Sequence, residues 1–367
     1  GYAVGYWGII AKTTDGGTNW TIQNSGTKKW LYSVYFTGTD TGYVVGDSGT
    51  ILKTTNGGAN WTKQISGTSS CLSSVLFTNV STGYAVGEWG AVLNTTNGGT
   101  TWNAQNLGSP SWWYSICFTD SLTGYIVGSG TLFLKTITGG AQWNSYSLIG
   151  YYHLSSVCFT DAKTGYAVGA VWNGPSWSTG PYYEVVIKTK DAGALWTEIA
   201  PNYEMNKTLT SVCFTDKNTG YAVGPDGTIL KTTNGGTEWT SQVSGTSNDL
   251  YSVFFTDKNT GYAVGLNGVI LKTRNGGSYP VGVEDLSGNK VPLKIYPTPS
   301  SNSITIETSE NSIPGDLSIF DLSGQEFIKQ TVTKPSIQID ITTLPPGVYL
   351  VSLQGEKGTG VGRIIKQ

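Results

Sequence analysis

Gly42-Tyr43-Val44-Val45-Gly46-Asp47-Ser48-Gly49-Thr50-Ile51-Leu52-Lys53-Thr54-Thr55-Asn56-Gly57-Gly58-Ala59-Asn60-Trp61 is the stretch whose reading decides the fold. Two short apolar runs are separated by Asp-Ser-Gly, and the second ends in Asn-Gly-Gly. Both breaks are hairpin turn chemistry. Gly-Tyr-(Ala/Val/Ile)-Val-Gly begins at Gly1, Gly42, Gly83, Gly124, Gly165, Gly220 and Gly261, and five of the six intervals are 41 residues. The exception, Gly165 to Gly220, is 55 and holds one insertion. Six of the seven copies follow a further apolar run, such as Ser33-Val34-Tyr35-Phe36-Thr37, and the box Trp opens a fourth. Each unit therefore reads as four short strands, and units so dense in Gly and β-branched residues cannot be helical hairpins. Four antiparallel strands in about 40 residues are a propeller blade. The first strand is apolar on both faces, as expected of an inner strand between neighbouring blades. The expected fold is all-β: a seven-bladed β-propeller over residues 1–278, a linker over 279–291 and a small Ig-like β-sandwich over 292–367.

The turn between the third and fourth strands follows Thr-x-(Asp/Asn)-x-Gly-x-x-Trp, as in Thr13, Asp15, Gly17, Trp20 or Thr232, Asn234, Gly236, Trp239. This resembles the Asp-box, or bacterial neuraminidase repeat, and the 41-residue unit resembles the photosystem II assembly/stability factor group of such propellers. The resemblance implies a fold and not a chemistry. Box residues Asp15, Asn56, Asn97, Asp191, Asn234 and Asn275 are expected to be structural, their side chains bonding their own turns. Repeat 1 lacks its first strand, and repeat 7 has Pro280 in place of the box Trp and no evident fourth strand. An upstream segment is expected to supply both.

After Gly277 the pattern changes. Ile295-Tyr296-Pro297-Thr298-Pro299, Leu317-Ser318-Ile319-Phe320-Asp321-Leu322-Ser323-Gly324-Gln325, Leu344-Pro345-Pro346-Gly347-Val348-Tyr349-Leu350-Val351 and the basic end Arg363-Ile364-Ile365-Lys366-Gln367 follow. Alternating apolar residues between Gly, Pro and Ser turns predict a sandwich of about seven strands. The motifs resemble the C-terminal sorting domain of the type IX secretion system of Bacteroidetes-like bacteria, with Thr298 where that family has Asn. The resemblance implies a secreted or outer-membrane surface protein whose residues 292–367 meet the translocon.

Composition narrows the chemistry. The formal charge is −2 with 13% charged residues, which leaves no basic footprint for nucleic acid. No stretch is long and apolar enough for an integral membrane segment. Cys117, Cys158 and Cys213 occupy equivalent places in successive repeats. Stacked sheets lie about 10 Å apart, beyond the roughly 7 Å that a disulfide spans, so these and Cys71 are expected to be free. A sialidase would need three arginines; the chain has Arg274 and Arg363. His153 is the sole histidine and has no nucleophile motif nearby, so Ser-His-Asp and Cys-His catalysis and histidine metal sites have no material. No cofactor or metal is expected.

Glycoside hydrolysis needs only two carboxylates, for which Asp47, Glu88 and Asp226 in the turns between second and third strands, and Glu184 at the end of the insertion, are candidates. The tryptophans suggest binding instead. Six are box residues; the other seven are Trp7, Trp30, Trp89, Trp112, Trp113, Trp172 and Trp177. Alternating strand directions put all seven on one face, with Tyr151, Tyr152, Tyr182 and Tyr183, beside the Ala170–Tyr183 insertion. Flat rings on a rigid scaffold stack on sugars or anchor protein partners. The expectation is a non-catalytic binding protein whose face, with Trp7, Trp30, Trp89, Trp112, Trp113, Tyr152, Trp172 and Trp177 as ligand contacts, holds a glycan or a surface protein. Open alternatives are a polysaccharide hydrolase, an assembly chaperone, or rings that only cover the core or anchor the sorting domain.

Overall fold

The computed structural model describes residues 1–105, 107, 111–172, 182–199, 207–277, 293–308, 314–321, 325–355 and 358–367. The expected linker and Pro280 lie outside them. Two compact units emerge, Gly1–Phe255 with Ala263–Leu271, and Thr256–Tyr262 with Lys272–Gln367.

In the first unit, repeats 2, 3 and 6 each form a four-stranded antiparallel sheet in chain order. Repeat 2 shows why. Its strands are Leu31–Phe36, Gly42–Gly46, Thr50–Thr54 and Thr62–Gln64. Gly42–Gly46 is buried throughout, with Val44 packing beside Ile10, Leu31 and Trp61, and Tyr43 and Val45 beside Leu72, Val75 and Phe77. Burial on both faces explains a run with no polar alternation. Both glycines are required by close approach: a Cβ on Gly42 would sit 2.5 Å from the Phe36 ring, and one on Gly46 2.0 Å from the Trp30 carbonyl oxygen.

Repeats are joined by a recurring clasp. Tyr43 Oη and Lys53 Nζ both donate to the Gly98 carbonyl in the next box turn, at 2.8 and 2.6 Å. Tyr2 and Lys12 do the same to Gly57, and Tyr125 and Lys135 to Ala192. The Tyr43 ring stacks on Phe77 of the next repeat at 4.0 Å, and Trp102 meets Phe77 edge-on at 5.9 Å. The same trio recurs as Tyr84, Phe118, Trp143 and as Tyr166, Phe214, Trp239. Where the lysine is present, the clasp combines a charge-assisted bond with aromatic packing.

Repeats 4 and 5 depart from the four-strand expectation by sharing one six-stranded sheet. Repeat 4 has Gly128-Ser129-Gly130 where repeat 2 has a tight turn. Its second and third strands therefore merge as Gly124–Thr136 and pair with Asn144–Phe159 across an irregularity between Gly130 and Leu132. The insertion begins as extended hairpin, Gly165–Trp172 pairing with Tyr182–Thr189. Three strands are described in each of the first and last repeats.

In the second unit, seven strands between Leu293 and Lys366 form sheets of three and four. Ile304, Ile306, Leu317, Ile319, Val351, Leu353 and Ile364 share their core. Tyr349 Oη donates to the Pro345 carbonyl at 2.7 Å, a corner of the kind found in Ig-like sandwiches.

Candidate functional site

The turns of the first unit gather at two ends. Box turns bond the turns between first and second strands, as Gly57 N to Asp40 O at 2.9 Å and Gly98 N to Ser81 O at 2.8 Å. At the other end, turns between second and third strands bond the inter-repeat loops, as Gly49 N to Ser70 O at 2.9 Å and Gly90 N to Ser111 O at 2.7 Å.

At the box end the polar side chains are consumed internally. Thr13 Oγ1 accepts from Gly17 N and donates to Asp15 Oδ1, and Asp15 Oδ1 also accepts from Asn19 N. The Asn19 backbone bond, then its side chain and Thr13, hold the Asp15 carboxyl at about 2. Asn56, Asn97, Asp191 and Asn234 accept from the backbone four residues on in the same way, and Asn275 Oδ1 accepts from Thr273 Oγ1. Thr138, absent from the sequence-derived set, does this work in repeat 4, its Oγ1 accepting from Gln142 N at 3.0 Å.

The loop end is different. Its turns over Tyr6–Ile9, Asp47–Thr50, Glu88–Ala91, Pro225–Thr228 and Leu266–Val269 each close with a carbonyl-to-amide bond three residues apart. Their central pairs have positive φ: Trp7-Gly8, Ser48-Gly49, Trp89-Gly90, Asp226-Gly227 and Asn267-Gly268. These are type I′ turns, which favour Asn-Gly or Asp-Gly because a bulky residue in the left-handed region is strained. Trp7 at φ 57, ψ 26 and Trp89 at φ 56, ψ 33 are therefore held in a conformation their side chains disfavour. They are also 71% and 67% exposed. Neither burial nor backbone preference accounts for them.

The neighbouring rings continue this surface. Tyr6 lies 4.4 Å from Trp30, and Trp89 lies 6.0 Å from Trp112 at 67°. Between these groups Tyr32 Oη donates to Asp47 Oδ1 at 2.8 Å and Cys71 Sγ to the same oxygen at 3.3 Å. The Cys71 carbonyl accepts from the Glu88 amide at 3.0 Å, and burial first, with the nearby Asp47 and Glu88 carboxylates, pushes the Cys71 thiol up to about 11. It is thus a neutral donor to Asp47 beside the turn that carries Glu88. Sequence reasoning missed Cys71, although it occupies the repeat position of Trp30 and Trp112.

Two expected contacts belong elsewhere. Trp113 is fully buried among Val86, Val92 and Ile116, because it pairs with Gly128 as Leu31 pairs with Gly46 and Leu72 with Gly87. It takes the inner strand's core leucine position. Tyr152 is 5% exposed and donates to Glu198 Oε1 at 2.7 Å; the irregular pairing at Gly130 turns it inward. Trp172 is half-buried beside Tyr151 and Tyr182, and Trp177 lies outside the described residues. The expected carboxylates fall into two places, Asp47 with Glu88 at Cys71, and Glu184 with Asp226 around a cleft of ≈ 540 Å³. Glu184 is 3% exposed there, and Lys207 pairs with Asp226 at 3.7 Å. Among the described residues no group of three or more His, Cys, Asp or Glu could hold a metal ion.

Cys71, Cys117, Cys158 and Cys213 are free. Burial pushes the Cys117 thiol up to about 11, and burial, with Cys117 and Cys213 nearby, also pushes the Cys158 thiol well above its ordinary value.

Clasped box repeats and an independent seven-stranded sandwich define an Asp-box propeller joined to a sorting domain. Residues 1–66, 63–148, 105–246 and 160–274 match photosynthesis system II assembly factor YCF48, and the chain belongs to that family. Residues 294–367 match the secretion system C-terminal sorting domain, which marks the protein for type IX export to the cell exterior, secreted or on the outer-membrane surface. No curated protein matches the chain. Among solved structures, YCF48 bound to D1 peptide is similar at 19% identity and TM-score 0.61, over 74% of this chain and 87% of that one. PorZ, an essential bacterial surface component of the type-IX secretion system of Porphyromonas gingivalis, is similar at 11% identity and TM-score 0.56, over 100% of this chain and 58% of that one. An ancestral GH74 enzyme reaches a TM-score of 0.48 at 15% identity, over 99% of this chain and 60% of that one, too slight a likeness to argue from. Among the described residues no helix is long and apolar enough to cross a membrane.

Proposed function

We propose that this is a non-catalytic surface binding protein. Its propeller, seven-bladed over residues 1–278, presents the loop end to a glycan or a surface protein, and residues 292–367 serve export. The observation that carries the reading is the pair Trp7 and Trp89, strained in the backbone and exposed in the side chain. Strain retained at an exposed residue is a signature of a working site. Burial first, then the nearby Tyr6 hydroxyl of the first repeat, pushes Tyr251 of the last repeat up to about 12, a proximity that supports seven-blade closure. A family member with a bound peptide makes a protein ligand reasonable. Binding would work through ring stacking and shape on a rigid scaffold, with no bond made or broken.

Full-length protein, wild type and Trp7→Ala/Trp89→Ala, should be screened by biolayer interferometry against bacterial surface polysaccharides and purified surface proteins, with released sugar assayed in parallel. The reading expects a ligand whose affinity falls about tenfold or more in the variant, as for interface anchor residues, and no released sugar. Released sugar would make the protein a hydrolase. Equal binding by both proteins would move the site off this end.

A further inference from the structure

The loop end carries a charge feature that stacking alone leaves unused. Asp47 and Glu88 come from turns 41 residues apart in sequence, yet both meet Cys71, whose thiol donates to Asp47 Oδ1 and whose carbonyl accepts from the Glu88 amide at 3.0 Å. Tyr32 and Cys71 donate to Asp47 as neutral groups, so neither cancels its charge. Lys29, on the loop before Trp30, gives its ammonium to Ser48 Oγ at 3.1 Å, and among the described residues no ion pair joins it to either carboxylate. Exposed rings flank the pair. The Asp47 amide bonds the Trp30 carbonyl, Glu88 precedes Trp89, and Trp112 meets Trp89 at 67°. Steeply inclined rings suit a sugar face poorly, since stacking wants a flat open ring. Beside carboxylates they make the walls of a cation receptor, where ring quadrupoles and negative charge attract the same group.

Resting on the loop-end reading above, we propose that Asp47 and Glu88, walled by Trp30, Trp89 and Trp112, receive lysine or arginine side chains of a partner protein. The acidic pair supplies attraction and the rings supply contact area, so the ligand is a basic polypeptide segment and not a neutral glycan.

The test uses the full chain and fluorescein-labelled hexalysine, read by fluorescence anisotropy. Asp47→Asn/Glu88→Gln removes the charge while keeping shape. Asp40→Asn/Glu238→Gln makes the same change in net charge at the box end, and circular dichroism confirms that both variants fold. The proposal expects wild type and the box-end variant to bind alike, the Asp47→Asn/Glu88→Gln variant to bind about tenfold or more weakly, and added salt to weaken binding. Neutral hexasaccharides should not compete. Equal loss in the two charge variants would reduce the effect to net charge and overturn the proposal. Neutral sugars bound in a Trp7- and Trp89-dependent way, with hexalysine ignored, would overturn it while leaving the loop-end reading intact. Failure of both ligand types would count against both.

Discussion

At the box end Tyr43 and Lys53 of one repeat meet the Gly98 carbonyl of the next, and the same pair recurs at Gly57 and Ala192. At the loop end the corresponding turn positions hold Trp7, Ser48, Trp89, Asp226 and Asn267. One end repeats its residues because every repeat must grip its neighbour through them. The other shares a backbone turn and varies the side chain mounted on it. Uniformity thus marks the joints of the scaffold, and variation on a fixed turn marks where ligand chemistry can be placed.

The comparison breaks most visibly at adjacent tryptophans. Trp113→Ala should destabilise the protein by about 3–5 kcal/mol, the range for truncating a fully buried aromatic. Trp112→Ala, at a 39% exposed ring, should shift stability by about 0.5 kcal/mol or less. Urea unfolding of the two variants reads the difference. Similar losses would mean that Trp112 is also scaffold.

The clasp is sharpened by its one irregular copy. Repeat 3 has Asn94 where repeat 2 has Lys53, and Tyr84 Oη donates to the Gly139 carbonyl. Tyr84→Phe should cost about 1–2 kcal/mol because it strands that carbonyl. Tyr43→Phe should cost about half as much, since Lys53 still serves Gly98. Equal costs would mean that the lysines add nothing to the joint.

Much of this was legible in the sequence, for stated reasons. The 41-residue period and the Gly-Tyr-x-Val-Gly run gave the propeller because four short strands per repeat make a blade, and stacked blades bury such a strand on both faces. Alternating apolar residues gave the sandwich. The site was half legible. Trp7 and Trp89 stand beside Gly where other repeats have Ser-Gly, Asp-Gly or Asn-Gly, so their exposure could be expected, but their strain needed φ angles. Trp113 and Trp112 are neighbours in sequence, and only the strand register shows which one faces the core. Cys71 stands alone at its repeat position, between Trp30 and Trp112 in neighbouring repeats, and its bond to Asp47 is visible only in the fold.

The smallest expected effect is acid sensitivity at the box end. Asp15 falls from 3.8 to about 2 in the folded protein, chiefly through the Asn19 backbone bond. A carboxyl whose pKa drops on folding contributes stability above its unfolded value and loses it as pH falls through the folded one. The Asp15 contribution should therefore be whole above pH 3.8 and fade toward about 2. Asp15→Asn keeps the accepting oxygen, as Asn56 does, and should flatten that part of a stability-versus-pH curve. An unchanged slope would show that the carboxylate charge contributes nothing to the turn.

Trp7 and Trp89 mark a binding end only if they are held where folding alone would not put them. Replacing both with Asn, the residue repeat 7 places at 267, and measuring urea stability alongside ligand binding tests this most directly. The expected result is a gain of about 1 kcal/mol per site, from relieved left-handed strain, together with lost binding. A fall in stability, or binding that survives both substitutions, would contradict it.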